Sequence, residues 1–308
     1  MRVIFMGTPD FAVKALERIH DSGHEIVAVY TQPDKAKGRS GKLQPPPVKV
    51  CAEGFGIPVF QPEKLREEEN VTAIRELSPE IIIVAAYGQI LPESILQIPP
   101  LGCINIHASL LPKYRGAAPI ERSILEGEAK TGVTTMYMAK GLDTGDMIEQ
   151  TETEILPTDT GESLTERLAE MGGGLILSTM QKLAEGTAVR TPQKDEESTY
   201  AKMLDKAMGE LDFSRPAAVL ERSVRALIPW PCAATVVDGK HVKIYGAEVT
   251  EQSGTPGEIL EVTKKYFTVA CGEGALRIRK LQPEGKKPMD AAAFLNGNKL
   301  EVGMKVGV

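Results

Sequence analysis

The chain has 308 residues, 42% of them apolar and 25% charged, with 29 Gly and 21 Pro. Such usage fits one large or two modest cores and excludes disorder, collagen and coiled coil. A formal charge of −6 excludes a surface coated uniformly for nucleic acid, although net charge hides its distribution.

Residues 2–6 read as a strand leading through Gly7-Thr8-Pro9-Asp10 into a helix. Its apolar positions Phe11, Val13, Leu16 and Ile19 form a stripe that ends near Ser22-Gly23. A strand over 25–30, a helix over 48–55, a short strand over 58–60 and a helix over 67–77 follow. Residues 80–87 (EIIIVAAY) are almost wholly apolar, the mark of a strand buried on both faces. Short apolar runs alternating with amphipathic stretches predict an α/β fold with a doubly wound, mostly parallel sheet.

The next strand, 102–107 (GCINIH), places Cys103, Asn105 and His107 on one face, because strand side chains change face at every step. Beyond it, 117–125 is helical. Strands at 132–138 and 146–155 form a hairpin around Gly141-Leu142-Asp143-Thr144-Gly145, and Asp159 with Glu162 reads as a helix-opening capping pair. A long helix then runs to about residue 183. Within it, Gly172-Gly173-Gly174 cost roughly 1 kcal/mol each in helix propensity, which demands tight packing or a local break.

Residues 186–206 turn polar and suggest a linker, over 190–207, between domains at 1–189 and 208–308. In the second domain a helix over 216–227 precedes alternating runs at 236–238, 241–249, 257–262, 266–270 and 275–281, the pattern of a small β-barrel or sandwich.

Residues 207–308 carry 14 Lys and Arg against 12 Asp and Glu, so the acidic excess lies in the first 206. There, Lys35, Lys37, Arg39, Lys42 and Lys49 face Asp34 alone between residues 31 and 49. An acidic body thus carries a local basic loop. Cys51, Cys103, Cys232 and Cys271 form no CxxC pair and read as isolated buried thiols. His20 and His24 are the one close histidine pair, too few for a zinc site, and no metal is expected. No stretch approaches the ~20 apolar residues needed to cross a bilayer, and the start lacks a long apolar run with a small-residue cleavage site. A cytoplasmic protein without membrane partners, and a monomer, is expected.

The segment from Asn105 to Gly116 begins at the carboxyl end of a predicted strand, where open α/β sheets put their ligand crevices. On residue type alone, His107 also reads as a hydrogen-bonded strand-end residue, and Asp143-Thr144-Gly145 as hairpin punctuation. The chemical fit is nonetheless specific. A carboxamide donates to an oxygen that becomes negative, an imidazole does so or exchanges a proton, and a carboxylate orients that imidazole. This is equipment for acyl transfer. There is no GxSxG elbow, and Ser109 shares the face of His107 only if the strand continues, so direct attack by a bound amine is simpler than a covalent route. GTPDFA at the start is neither GxGxxG nor GxxxxGK[ST], which excludes dinucleotide and Walker-type sites.

Asn105-x-His107 followed by SLLPKYRGAAPI, then Gly-Leu-Asp143-Thr-Gly-Asp, resembles the formyltransferases that use 10-formyltetrahydrofolate. Over essentially all 308 residues, including GTPDFAV, TQPDKAKGRSGKL and IPWPCA, the chain is similar to members that act on methionyl initiator tRNA. The resemblance implies a Rossmann-like catalytic domain over 1–189 and an OB-like β-barrel for tRNA over 208–308. It also implies 10-formyltetrahydrofolate as formyl donor and the α-amino group of methionine on initiator tRNA as acceptor.

Asn105, His107 and Asp143 are then the expected catalytic residues, the first two at the developing oxyanion and the third orienting His107. The donor is expected against Gly88, Gln89, Ile90 and Leu91 and against Ser109, Leu110, Leu111 and Pro112, whose apolar members suit a flat pteridine ring. Lys35, Lys37, Arg39 and Lys42 are expected to clamp the acceptor end, with Arg39 foremost. Arg277, Arg279 and Lys280, with Lys286 and Lys287, form a second basic cluster for the tRNA body. The alternative is a relative acting on a small amine such as a nucleotide sugar, against which the basic loop discriminates.

Overall fold

The computed structural model describes residues 1–36, 41 and 43–307. Its first strand, β1 (Arg2–Gly7), buries Val3, Ile4, Phe5 and Met6 completely. The strand turns at Gly7 into α1 (Asp10–Asp21), and a Cβ on Gly7 would approach Ala12 Cβ to 2.7 Å, so glycine lets helix and strand close up. The buried stripe of α1 is Phe11, Ala12, Ala15, Leu16 and Ile19; Val13, expected in it, is half-buried and lines a cavity instead.

There follow β2 (Glu25–Tyr30), the short pair β3 (Lys35–Ala36) and β4 (Leu43–Gln44), α2 (Pro47–Gly54), β5 (Val59–Phe60), α3 (Glu68–Glu76), β6 (Ile81–Ala85) and α4 (Glu93–Leu96). After them come β7 (Cys103–His107), β8 (Arg115–Gly116), α5 (Pro119–Glu126), β9 (Lys130–Tyr137) and β10 (Met147–Glu154). The main sheet runs β10-β9-β7-β6-β1-β2-β5. Pairings among β5, β2, β1, β6 and β7 are parallel, while β9 and β10 add an antiparallel edge. All five side chains of β6 are buried, as its composition demands in a strand covered on both faces.

The chain divides into two compact units, one of Met1–Pro119, Lys130–Glu154 and Thr165–Ala201, the other of Ile120–Ala129, Ile155–Leu164 and Lys202–Val308. Helix α6 (Gly161–Glu185) is continuous through its three glycines. A Cβ on Gly172 would meet Ile106 Cγ2 at 2.9 Å, and one on Gly173 would meet Arg18 Cγ at 3.0 Å and the Lys14 carbonyl at 3.1 Å. Close packing therefore explains the first two glycines. Gly174 has nothing within 4 Å, and nothing in the structure explains it. Farther along the same helix, Ser178, Thr179 and Lys182 all donate to the Glu149 carboxylate of β10, tying the helix to the sheet edge.

Hydrogen bonds tie down both the opening of α6 and the polar stretch beyond it. The helix-opening box is formed by Thr160 and Ser163, whose backbone N–H groups donate to each other's hydroxyls at 3.0 and 3.1 Å. Asp159 accepts from the Leu156 N–H at 2.7 Å and from the Ser163 hydroxyl at 3.3 Å. The expected linker needs correction: the polar stretch over 190–207 does not run free. Thr191 exchanges backbone bonds with Met147, and β11 (Tyr200–Ala201) pairs in parallel with β8. The first compact unit extends to Ala201, which is fully buried, and these backbone bonds hold the segment.

The second unit contains α7 (Ala217–Ala226), β12 (Ala233–Val237), β13 (Lys240–Thr250), β14 (Ile259–Val262), β15 (Phe267–Ala270), β16 (Ala275–Pro283), β17 (Met289–Asp290) and α8 (Ala291–Asn296). The strands form an antiparallel sheet in the order β12-β13-β16-β15-β14. Its outer strands are joined by the end of the chain. Met304 accepts from Ile259 N–H at 2.9 Å, Val306 N–H donates to Gly257 at 2.8 Å and Gly307 N–H to Val236 at 2.9 Å, closing the sheet into a barrel. Val242, Ile244, Phe267, Val269, Leu276 and Ile278 fill it, with Leu220 and Val224 of α7 in the same core.

Candidate functional site

Strand β7 ends at the carboxyl edge of the parallel strands with Asn105 and His107 on one face and Ile106 on the other, packed toward α6. Both polar residues are buried, with Asn105 9% and His107 6% exposed. Asp143, 38 residues downstream, comes to the same place from the β9–β10 connection. Asn105 Nδ2 donates to Asp143 Oδ1 at 3.4 Å, and His107 Nδ1 lies 3.7 Å from Asp143 Oδ2. The three predicted residues therefore converge.

The backbone of residues 114–116, the end of the segment read from Asn105 to Gly116, completes the set. His107 Nε2 donates to the Tyr114 carbonyl at 2.8 Å, and Gly116 N–H donates to Asp143 Oδ2 at 2.9 Å. Because a carbonyl only accepts, Nε2 carries the hydrogen and Nδ1 of the neutral ring is left with a lone pair beside the carboxylate. Tyr114 and Asp143 adopt left-handed backbone, with φ of +60° and +51°, an uncommon state for non-glycine residues that clusters at working sites.

Neither Ser109 nor Cys103 is placed as a nucleophile beside them. Strand β7 stops at His107, so Ser109 does not continue its face; the serine is fully buried and its hydroxyl donates to the Lys113 carbonyl at 2.7 Å. Cys103 shares the face but its thiol is pushed up to about 12 by burial, which keeps it protonated at neutral pH.

The expected donor crevice divides sharply. Leu91 and Leu111 are core residues, and Gln89 is spent on the Leu65 N–H at 2.8 Å and the Pro62 carbonyl at 2.9 Å. Leu110 packs over Gly132, where a Cβ would sit 2.6 Å from Leu110 Cδ2. The 109–112 turn is pinned by Thr134, whose hydroxyl accepts from Leu111 N–H at 3.2 Å, and by Gln150, which donates to the Leu111 carbonyl at 2.8 Å. Ile90, 85% exposed, is the apolar side chain left at the surface of the 88–92 turn, next to Gly88 with φ +89°. At the carboxyl ends of β1 and β2 a cavity of about 920 Å³ is lined by Thr8, Asp10, Gln32, Lys35, Cys51 and Phe55, among others.

Of the basic loop, Lys35 is exposed, whereas Lys37, Arg39 and Lys42 lie outside the described residues. Lys49 is neutralised by Asp34 at 3.0 Å, and the Gln32 amide donates to the Tyr87 carbonyl at 3.3 Å. The second cluster is less basic than its sequence. Arg279 makes a two-pronged pair with Glu248 at 3.0 Å on each arm, Arg277 lies 3.8 Å from Glu248 and 3.9 Å from Glu261, and both guanidiniums stack on Tyr266. Lys280, Lys286 and Lys287 are exposed.

Gln193 was also missed. From within the polar stretch it donates to the carbonyls of Asp143 and Gly145, both at 2.8 Å. No signal in its own neighbourhood marks it.

Among the described residues no helix is long and apolar enough to cross a membrane. The formyl transferase family model matches residues 1–180, and that of the formyl transferase C-terminal domain matches 203–299. The methionyl-tRNA formyltransferase of Lachnospira eligens is 48% identical over 314 residues, covering 100% of both chains. That of Geobacter metallireducens is 50% identical over 307 residues, covering 100% of this chain and 99% of its own. Among solved structures, an N-formyltransferase from Helicobacter canadensis in complex with folinic acid and dTDP-3-aminofucose shares the fold at TM-score 0.69 and 20% identity, over 92% of this chain and 99% of that one. HypX from Aquifex aeolicus with tetrahydrofolic acid gives 0.66 at 18% identity over 99% of this chain, which spans about half, 50%, of HypX. Full-length identity near one half to proteins of that name, together with both family models, establishes that the chain belongs to the methionyl-tRNA formyltransferase family.

Proposed function

We propose that the protein moves the formyl group of 10-formyltetrahydrofolate onto the α-amino group of methionine carried by initiator tRNA, in the cytoplasm. The carrying observation is the meeting of Asn105, His107 and Asp143 at the end of β7, within 3.4 and 3.7 Å of one another. The neutral amine attacks the formyl carbon directly, which agrees with the internal engagement of Ser109 and the protonated Cys103. A new C–N bond forms to methionine and the bond from the formyl carbon to the folate nitrogen breaks. Negative charge builds on the formyl oxygen, and the Asn105 amide donates to it; one such donor is worth roughly 3–4 kcal/mol. His107, expected at the oxyanion, has its Nε2 hydrogen engaged by the Tyr114 carbonyl, so it takes instead the proton lost by the amine at Nδ1, beside Asp143, and returns it to the departing nitrogen.

The donor is assigned to the crevice beside Gly88–Ile90 and Ser109–Pro112. Its apolar wall comes from Ile90, and backbone groups read the polar edge of the pteridine. The acceptor end is assigned to the basic loop with Lys35, Lys37, Arg39 and Lys42, and the tRNA body to the face of the barrel bearing Arg277, Arg279 and Lys280. An acidic remainder weakens indiscriminate binding while local positive charge retains phosphate.

The test is incubation with labelled 10-formyltetrahydrofolate and methionyl initiator tRNA, beside methionyl elongator tRNA, a dTDP-amino sugar and no acceptor. Label on the initiator alone is expected. Equal labelling of the amino sugar, or release of formate at the same rate without acceptor, contradicts the reading. Arg39→Ala is expected to raise KM for the tRNA and leave that for the donor unchanged.

A further inference from the structure

Asp143 does not hold its position through its own strand. It sits in the β9–β10 connection with a left-handed backbone, and its side chain is spoken for by Asn105, His107 and the Gly116 N–H. Its main chain is held from outside. The Gln193 amide nitrogen donates both of its hydrogens, one to the Asp143 carbonyl and one to the Gly145 carbonyl, each at 2.8 Å. The Gln193 oxygen accepts from Arg115 Nε at 2.9 Å, so both ends of the amide are engaged.

Arg115 is the residue between the two backbone groups that hold His107 and Asp143, the Tyr114 carbonyl and the Gly116 N–H. Its side chain is only 11% exposed, and its own N–H donates to the Thr199 carbonyl at 2.9 Å. A closed circuit results. His107 leans on Tyr114, Asp143 on Gly116, and the Asp143 main chain returns through Gln193 to Arg115. At Gly145 an added Cβ would strike the Tyr137 carbonyl, so the turn admits only glycine there. On the outer side Arg115 Nη1 pairs with Asp195 at 2.9 Å, but that carboxylate is 86% exposed and outside the circuit.

We propose that Gln193 is a positioning residue for formyl transfer, fixing the Asp143 loop against Arg115 so that the carboxylate faces His107. The inference rests on the assignment of Asn105, His107 and Asp143 to the reaction. Gln193 touches no reacting atom and acts through the main chain of Asp143. The segment it belongs to, which composition marks as a linker, is therefore part of the catalytic unit.

Three variants test it in the formyl-transfer assay. Gln193→Ala removes the whole clasp, and Gln193→Glu keeps an acceptor for Arg115 but puts oxygen against the two carbonyls. Asp195→Ala removes only the exposed outer pair. Tetrahydrofolate binding by calorimetry counts the folded sites, and kcat is expressed per site. Both Gln193 variants are expected to lose roughly 10- to 100-fold in kcat, the scale of a displacement of about 1 Å in a reacting group. KM for tRNA and donor should stay within about twofold, and Asp195→Ala should match the wild type. A Gln193→Glu enzyme with wild-type kcat overturns the proposal, as does a kcat loss accompanied by equal rises in both KM values. If the wild type itself transfers no formyl group, it is the assignment of the reaction that fails, not the clasp.

Discussion

Replacing Gly172 by Ala adds one methyl group between α6 and β7, and the structure fixes what it meets. The new Cβ would stand 2.9 Å from Ile106 Cγ2, a β-branched methyl that cannot swing aside. Overpacking of this kind costs about 1–3 kcal/mol. Against it stands the gain from removing a helical glycine, about 1 kcal/mol. Gly174→Ala carries the same gain with nothing within 4 Å. The two variants share the propensity term, so their difference isolates the packing term, about 1–3 kcal/mol. For a unit of this size that separates their calorimetric melting points by roughly 2–4 °C per kcal/mol, with Gly174→Ala above the wild type. The strain also reaches the chemistry, because Ile106 lies between Asn105 and His107. Gly172→Ala should lower kcat for formyl transfer while Gly174→Ala leaves it unchanged. A Gly172→Ala protein as stable and as active as Gly174→Ala refutes the packing of α6 against β7.

Two further outcomes follow from burial and charge. Tyr30 is pushed up to about 12 by burial, and Tyr87 is raised by burial and then by Tyr30. Their contribution is fully present below the unfolded value near pH 10 and is lost as pH rises through the folded values, by about 1.4 kcal/mol per pH unit for each ionising phenol. Tyr30→Phe should therefore flatten the fall in stability measured by denaturant titration between about pH 10 and 12. It should leave stability at neutral pH unchanged or higher, since the buried Tyr30 hydroxyl has no hydrogen-bond partner among the described residues. On the barrel, Arg279→Ala should raise KM for tRNA and reduce its salt dependence by about one phosphate contact, whereas Glu248→Gln, which frees Arg279 and leaves Arg277 with Glu261 alone, should lower KM at low salt. Steady-state rates at two ionic strengths decide this, and indifference to both changes removes the barrel face from the tRNA path.

The parallel sheet was legible because its strands are short apolar runs, and Asn105 and His107 because alternation along one strand needs no tertiary information. Asp143 was legible as a turn residue with the right chemistry, but its meeting with the other two depends on a sheet edge brought round from 38 residues away. What escaped was held by backbone or by non-local partners. Gln193 sits in a polar run whose composition says linker, and its meaning comes from Arg115, 78 residues earlier. Closure of the barrel by residues 304–307 uses main-chain bonds with no strand-like pattern to announce them. Arg277 and Arg279 were counted as free charge because their partner Glu248 lies across the ladder on β13.

The central claim is that His107 and Asp143 act as one unit, and a double-mutant cycle measures it. Single-turnover formyl transfer by His107→Ala, Asp143→Ala and the double variant, at saturating donor and methionyl initiator tRNA, should show the double variant about as slow as the slower single, as residues sharing one task are strongly non-additive. If the two losses multiply, the carboxylate and the imidazole work separately and the proposed reaction centre is wrong.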